Sequence, residues 1–260
     1  MAINLKPFPE QAAFFARCSE AAYLDGDAGK ARFAELGFKA EFIDVDGSQA
    51  YFLHNDEDLV FVCRGTQPTE WKDIASDLNA VPVKSSTGVG MLHKGFKDSV
   101  DHVFPKLSEL AIDYGKTRTI WVTGHSLGAA MALITSYKLQ RDPALPSPQA
   151  LFTYGCPRAG DKTYIAAMEG SGLLHFRFVN NADIVARVPF WPFKHLAGAM
   201  YMNHWGNLRT LTFWQVTKDV WRGFVEGIKK RDINFFSNHS ITRYAERLEH
   251  WATGVEYPQE

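Results

Sequence analysis

The feature that most constrains this chain is Gly124-His125-Ser126-Leu127-Gly128, a pentad set between two different local patterns. Before it, Thr119-Ile120-Trp121-Val122-Thr123 is β-branched and aromatic; after it, Ala129-Ala130-Met131-Ala132-Leu133-Ile134 is helix-forming. That is the layout of a nucleophile elbow, a tight strand-to-helix turn that lifts a serine hydroxyl above a sheet. The glycines are expected to divide two jobs: admitting unusual backbone angles and letting the helix pack close to the strand. The bare pattern arises by chance about 0.08 times in a chain of this size and composition, so the flanks carry the inference.

The rest of the chain agrees with a layered α/β sheet. An amphipathic helix is expected over Glu10–Leu24, and a second from Asp27 to a left-handed cap at Gly37. Phe38–Val45 and Gln49–His54 alternate as a hairpin around Asp46-Gly47. Leu59–Cys63 is a continuous apolar run, the sign of a buried central strand. A long helix over Lys94–Tyr114 is expected to be disturbed at Pro105. Strands at Ala150–Tyr154 and Leu174–Val179 bracket a helix from Asp161 to Glu169. Alternating strands and helices of this kind predict a single α/β domain spanning residues 1–260.

Composition excludes several function classes. Lys and Arg total 28 against 29 Asp and Glu, so there is no basic field for nucleic acid. Three cysteines, Cys18, Cys63 and Cys156, are odd in number and lie in apolar surroundings, which reads as buried thiols. No His/Cys/Asp/Glu cluster has metal-ligand spacing, and no cofactor is expected. The amino terminus, Met1 to Pro7, lacks a basic region followed by an apolar run, and no window reaches membrane-spanning length. The expected location is therefore cytoplasmic, or exported by a leaderless route, unless a leader has been removed.

A serine hydroxyl needs a base to take its proton and an acid to orient that base. Where an elbow of this kind operates, acid and then histidine follow the serine in the chain, each after a sheet strand. Of the histidines after Ser126, His175 lies within a strand, His250 on the last turns of a helix reads as surface, and His195 lies in an aromatic loop. His239, preceded by Ser237-Asn238 and opening the helix Ile241–Trp251, is favoured. His204 beside the strand Leu208–Phe213 is its competitor. Among the acids, Asp183 follows a strand through Asn180-Asn181-Ala182. Asp161 reads as a helix cap, Asp142 belongs to a proline loop, and Asp219 and Asp232 belong to a polar helix and its exit. The Leu127 amide, next after the nucleophile, is one oxyanion donor by elbow geometry. Thr66, at the end of Cys63-Arg64-Gly65-Thr66, is the candidate second donor, against a plain strand-exit turn.

With these pieces in place, the chain resembles the class 3 lipases, the family that includes filamentous-fungal triacylglycerol lipases. The motifs that carry the resemblance run in order from about Ala21 to Tyr244. They are Arg64-Gly65-Thr66, Glu70-Trp71-Lys72-Asp73 with Asp77-Leu78, His93-Lys94-Gly95-Phe96, the elbow, Tyr154–Asp161, Asn181-Ala182-Asp183 with Val188-Pro189, and His239–Tyr244. The resemblance implies an α/β-hydrolase fold, with a mostly parallel central sheet flanked by helices and a short lid after the oxyanion strand. It implies Ser126 as nucleophile, Asp183 as acid, His239 as base, and Thr66 with Leu127 as oxyanion donors. It further implies that His93 and His204 are structural. Secreted fungal members carry a leader and disulfides, and neither pattern is seen here.

The substrate implied is a lipid or other ester met at a lipid–water interface. Phospholipase A1 or acyltransferase activity on the same triad is the alternative, with a non-catalytic binding module as a distant third. Gln67–Ser76 occupies the lid position, with Trp71 and Ile74 on one face, and a fixed surface helix is the equal alternative. Pro189-Phe190-Trp191-Pro192-Phe193 follows the acid closely, so Phe190 and Trp191 are expected to line an acyl pocket. Trp214–Lys230 carries an apolar stripe ending in Lys229-Lys230-Arg231, a pattern more often turned to a core than to a membrane.

Overall fold

The computed structural model describes residues 2–65, 81–189, 191–196, 198–209, 215, 217–219 and 237–258. Helix α1, Phe8–Ala21, begins earlier than its apolar spacing suggests. Pro9 sits in its first turn, where a missing N–H goes unused. Helix α2, Gly26–Glu35, ends before Gly37 at φ +87°, the expected left-handed position. Strands β1 (Lys39–Val45) and β2 (Ser48–His54) pair antiparallel. The hairpin turns on Asp46 and Gly47, both at positive φ, as a two-residue primed turn requires.

Strand β3, Asp58–Cys63, is buried at every residue and pairs parallel with β6, Thr119–His125. Between them lie β4 (Pro82–Lys84), β5 (Met91–His93) and helix α3 (Lys94–Tyr114). Helix α3 is continuous through Pro105, against expectation. Pro105 lies on the solvent face, where water can take up the backbone carbonyl that the missing N–H leaves unbonded. Helix α4, Leu127–Arg141, leaves the elbow and is buried along most of its length. Then come β7 (Ala150–Tyr154), β8 (Gly160–Asp161), α5 (Lys162–Glu169) and β9 (His175–Asn180). Asp161 caps α5 as expected, its Oδ1 accepting from Tyr164 N at 2.8 Å. Strands β10 (Phe193–Lys194), β11 (Ala199–Met202) and β12 (Leu208–Arg209) precede helix α6, Ile241–Ala252.

The large sheet has the order β1-β2-β3-β6-β7-β9-β11-β12. Its centre, β3-β6-β7-β9-β11, is parallel and its outer pairs are antiparallel. This is the mostly parallel, helix-flanked α/β-hydrolase sheet. A second, four-stranded sheet runs β10-β8-β5-β4. One face of the large sheet packs Val122 and Leu151 against Val103, Leu107, Met131 and Ile134 of α3 and α4. The other packs Val60, Trp121 and Phe152 against Phe15 and Ala16 of α1 and Tyr244 and Leu248 of α6. Buried Asp58 ties the amino terminus to this face by accepting from Ile3 N and Trp121 Nε1, both at 2.8 Å. Because β6, β7 and β9 run parallel, their carboxyl ends deliver Ser126, Gly155 and the Asn181–Asp183 turn to one edge of the sheet.

Cys18, Cys63 and Cys156 are buried free thiols, as the sequence suggests. Burial pushes Cys63 and Cys156 up to about 12, which keeps them protonated. Among the described residues, no helix is long and apolar enough to cross a membrane.

Candidate active site

Ser126 takes φ 59°, ψ −129°, a conformation L-residues rarely adopt, and its own N–H donates to Tyr154 O at 3.1 Å. Its carbonyl accepts from Ala129 N at 2.9 Å, so the turn passes directly into α4. The expected division of labour between the glycines is corrected here, because neither Gly124 nor Gly128 has a positive φ. The unusual angle falls on Ser126 itself, and both glycines serve close approach. A Cβ on Gly124 would lie 2.3 Å from Gly128 O, and one on Gly128 would lie 2.2 Å from Cys63 O. Strand and helix backbones touch at the elbow with no room for a methyl group. Leu127 is the first helical residue, so its N–H has no acceptor within α4 and stands at the positive end of the helix dipole.

The second half of the site is assembled from distant segments. Asp183 and His239 are both fully buried. His239 Nδ1 lies 2.9 Å from each carboxylate oxygen of Asp183. Buried carboxylate lone pairs must be occupied, and three further donors occupy them. Oδ1 accepts from Val185 N at 3.0 Å and Ala186 N at 3.3 Å, and Oδ2 accepts from the Tyr244 hydroxyl at 2.6 Å. Tyr244 oxygen in turn accepts from Asn180 N at 2.9 Å. Burial, reinforced by the Asp183 charge, holds the Tyr244 phenol well above its usual range, so it remains a donor. Asn180 Nδ2 donates to Asn238 O at 2.8 Å, joining the acid turn to the histidine turn. Gly155, at φ 56°, passes close against the pair: a Cβ there would fall 2.7 Å from Asp183 Oδ2 and 2.8 Å from His239 Nδ1.

His125 connects the two halves. Its Nε2 lies 2.7 Å from the His239 carbonyl, and its Nδ1 lies 2.7 Å from the Tyr23 hydroxyl. A carbonyl only accepts, so Nε2 carries the proton and Nδ1 accepts from Tyr23. The two imidazole rings lie 4.5 Å apart. Burial first, and then the neighbouring His239, push His125 well below the usual histidine range, so it is neutral. His125, the residue immediately before Ser126, thus ties the elbow to the His239 backbone.

Several sequence expectations change at this point. Trp191 does not line a pocket; it is 85% exposed, because Pro189 and Phe193 on either side are buried and turn the loop outward. Asp219, assigned to a polar helix, is helical and buried, with Oδ2 accepting from Asn181 Nδ2, Tyr201 OH and His204 N. His250 is half-buried and stacked on Tyr257 at 3.8 Å rather than simply a surface residue. His204 belongs to the Asp219 network, and its carbonyl accepts from Arg247 at 3.1 Å. His93 is stacked on Phe96 at 4.2 Å, and His195 is bonded to Ala186 O at 2.7 Å. Thr66, Trp71, Ile74, Phe190 and the Trp214–Lys230 stripe lie outside the described residues, apart from isolated positions of the stripe. Among the described residues, no group of three or more His, Cys, Asp or Glu side chains is arranged to hold a metal.

Sequence reasoning missed Tyr23, His125, Gly155 and Asp219 as parts of the site or its frame. His125 had a local signal, as the residue before the elbow serine, and Gly155 had one as part of the Tyr154–Asp161 motif. Tyr23 and Asp219 are brought in by packing.

Residues 60–193, just over half of the chain, match the family described as Lipase (class 3). The chain belongs to the class 3 lipase family. The matched stretch contains the elbow and Asp183 and stops before His239. Among relatives, a lipase of Rhizomucor miehei is 35% identical over 154 residues, 56% of this chain and 42% of that protein. Toxin TseL of Vibrio cholerae is 30% identical over 187 residues, 56% of this chain and 28% of the toxin. This class 3 lipase chain thus spans less than half the length of these curated relatives. The solved structure of Rhizomucor miehei triacylglyceride lipase superposes with a TM-score of 0.67 at 26% identity, covering 74% of this chain and 79% of that one.

Proposed function

We propose that this class 3 lipase is a serine carboxylic ester hydrolase acting on acylglycerol or related lipid esters through a covalent acyl-enzyme. The observations that carry the reading are the buried Asp183–His239 pair, bonded at 2.9 Å, and an elbow serine in a strained conformation whose preceding residue, His125, bonds the His239 carbonyl. The Rhizomucor miehei relative, named a triacylglyceride lipase, supports the choice of ester.

In this mechanism Ser126 Oγ attacks the ester carbonyl carbon while His239 Nε2 takes the hydroxyl proton. Asp183 fixes His239 with Nδ1–H toward the carboxylate and stabilises the imidazolium that forms. The Leu127 N–H, with Thr66 as second donor, holds the tetrahedral oxyanion, a contribution of about 3 kcal/mol per donor. Collapse expels the alcohol, which His239 protonates. Water, deprotonated by His239, then releases the carboxylic acid and restores Ser126.

The test is hydrolysis of p-nitrophenyl esters of graded chain length by the wild type and Ser126→Ala. The reading requires activity in the wild type that the mutant lacks. Equal rates on every ester would overturn it.

A further inference from the structure

Helix α6 carries two polar side chains, three residues apart, that reach back over the site: Tyr244 and Arg247. Tyr244 donates to Asp183. Arg247 donates to neither member of the catalytic pair. Its Nη1 donates to Asn180 Oδ1 and, at 3.3 Å, to Asn203 O, and its Nη2 donates to His204 O at 3.1 Å. All three acceptors are neutral amide oxygens, and among the described residues no carboxylate is bonded to this guanidinium. Gly206, at φ 103°, lies against it, and a Cβ there would fall 3.0 Å from Arg247 Nε. The 203–206 turn is thus shaped around a guanidinium that makes no ion pair.

Asn180 is the residue on which the guanidinium acts. It ends β9 and is fully buried. Its N–H donates to the Tyr244 oxygen and its carbonyl accepts from Asp183 N, both at 2.9 Å. Its side chain joins Arg247 to the histidine turn: Oδ1 accepts from Arg247, and Nδ2 donates to Asn238 O at 2.8 Å. An asparagine amide has nearly the same shape either way round, so its partners decide which way it points. The Asn238 carbonyl can only accept, and a guanidinium can only donate. Turned over, the amide would set oxygen against oxygen at Asn238 and N–H against N–H at Arg247. A neutral partner such as glutamine could turn with it; an arginine cannot. The donor to the carbonyl just before His239 is therefore fixed from the far side of Asn180. The next carbonyl, that of His239, is held by His125, so the turn is tied at two successive peptide units.

We propose that Arg247 is a positioning residue: it fixes the Asn180 amide so that Nδ2 faces Asn238 O and holds the His239 turn against Asp183. The proposal rests on the ester-hydrolase reading, because His239 is there the base whose placement sets the rate.

The experiment makes two measurements on the full chain. One is steady-state hydrolysis of a soluble short-chain ester. The other is the downfield proton NMR resonance of the His239 Nδ1–H···Asp183 bond, assigned by its loss in His239→Ala. Arg247→Met should leave KM unchanged, lower kcat about tenfold or more, and broaden or remove the resonance. Arg247→Lys should recover part of both, since its ammonium can still only donate. Asn180→Asp keeps an acceptor for Arg247 but has no donor for Asn238 O, so it should lose kcat and the resonance as Arg247→Met does. It also serves as the test if Arg247→Met fails to fold. The proposal is overturned if either Arg247→Met or Asn180→Asp keeps the wild-type kcat and resonance. It is overturned equally if kcat falls only in step with the fraction folded while the resonance stays. If the wild type shows no Ser126-dependent hydrolysis, the activity reading falls, and the resonance alone decides whether Arg247 orients His239.

Discussion

The elbow and the Asp183–His239 pair hold their side chains by opposite routes. At the elbow, rigidity comes from missing atoms: the absence of a Cβ at Gly124 and Gly128 lets strand, turn and helix backbones touch. At the pair, rigidity comes from added partners. Four donors from three segments converge on one buried carboxylate, and Asn180 ties the acid and histidine turns together. A contact between backbones has no side chain to yield, whereas a hydrogen-bond network can lose a member and keep its shape. The elbow should therefore fail all at once, and the pair by degrees.

The sharpest way to break this comparison is Gly128→Ala. The new methyl would sit 2.2 Å from the Cys63 carbonyl, so the expected result is loss of folding or a large fall in Tm, with no measurable esterase activity. A protein with near-native Tm and activity would show that the elbow does yield. Asp183→Asn comes next: kcat should fall about 10⁴-fold, because the histidine loses its orienting charge. Steady-state kinetics on a soluble ester reads this directly.

How far the sequence led follows the same division. The elbow, the hairpin at Asp46-Gly47 and the buried β3 run were legible because each is specified by neighbouring residues. Asp183 and His239 were reached by elimination, through chain order and strand ends, with His204 competing until the family resemblance implied it to be structural. Tyr244 was visible as part of a motif, but its bond to Asp183 was not, because the two residues are 61 positions apart. The bonds of Asp219 were not visible because its neighbours in space, Asn181, Tyr201 and His204, are not its neighbours in sequence. Trp191 was assigned to a pocket on proximity in sequence to Asp183, and buried neighbours on both sides turn it outward.

Tyr244→Phe tests the graded behaviour of the pair. It removes one of four donors to Asp183 and leaves Asn180 N–H without its acceptor. Stability should fall by about 2 kcal/mol and kcat by about tenfold, measured by denaturant unfolding and by ester hydrolysis. A loss as large as that of Asp183→Asn would mean the network has no redundancy.

The smallest expected effect concerns acid. Burial holds His125 well below the ordinary histidine range, and burial with Arg177 nearby holds His175 and His195 at about 3. A lowered folded-state value means that the unfolded chain takes up protons first. The stability contribution is complete above about pH 6.5 and declines as pH falls below it. Because His175 and His195 keep some solvent contact, each should cost about 1–2 kcal/mol at pH 5. Thermal unfolding between pH 7.5 and pH 5 should show Tm falling with net proton uptake on unfolding. A flat profile would contradict the buried neutral state of these rings.

Everything proposed for the site depends on Ser126 being a nucleophile activated by His239. It is tested most directly by reacting the protein with an organophosphonate ester and mapping the label by mass spectrometry, in the wild type and in His239→Ala. The account requires one label, on Ser126, forming rapidly in the wild type and slowed by about three orders of magnitude or more without His239. A label on another residue, or equal labelling rates in the two proteins, would contradict it.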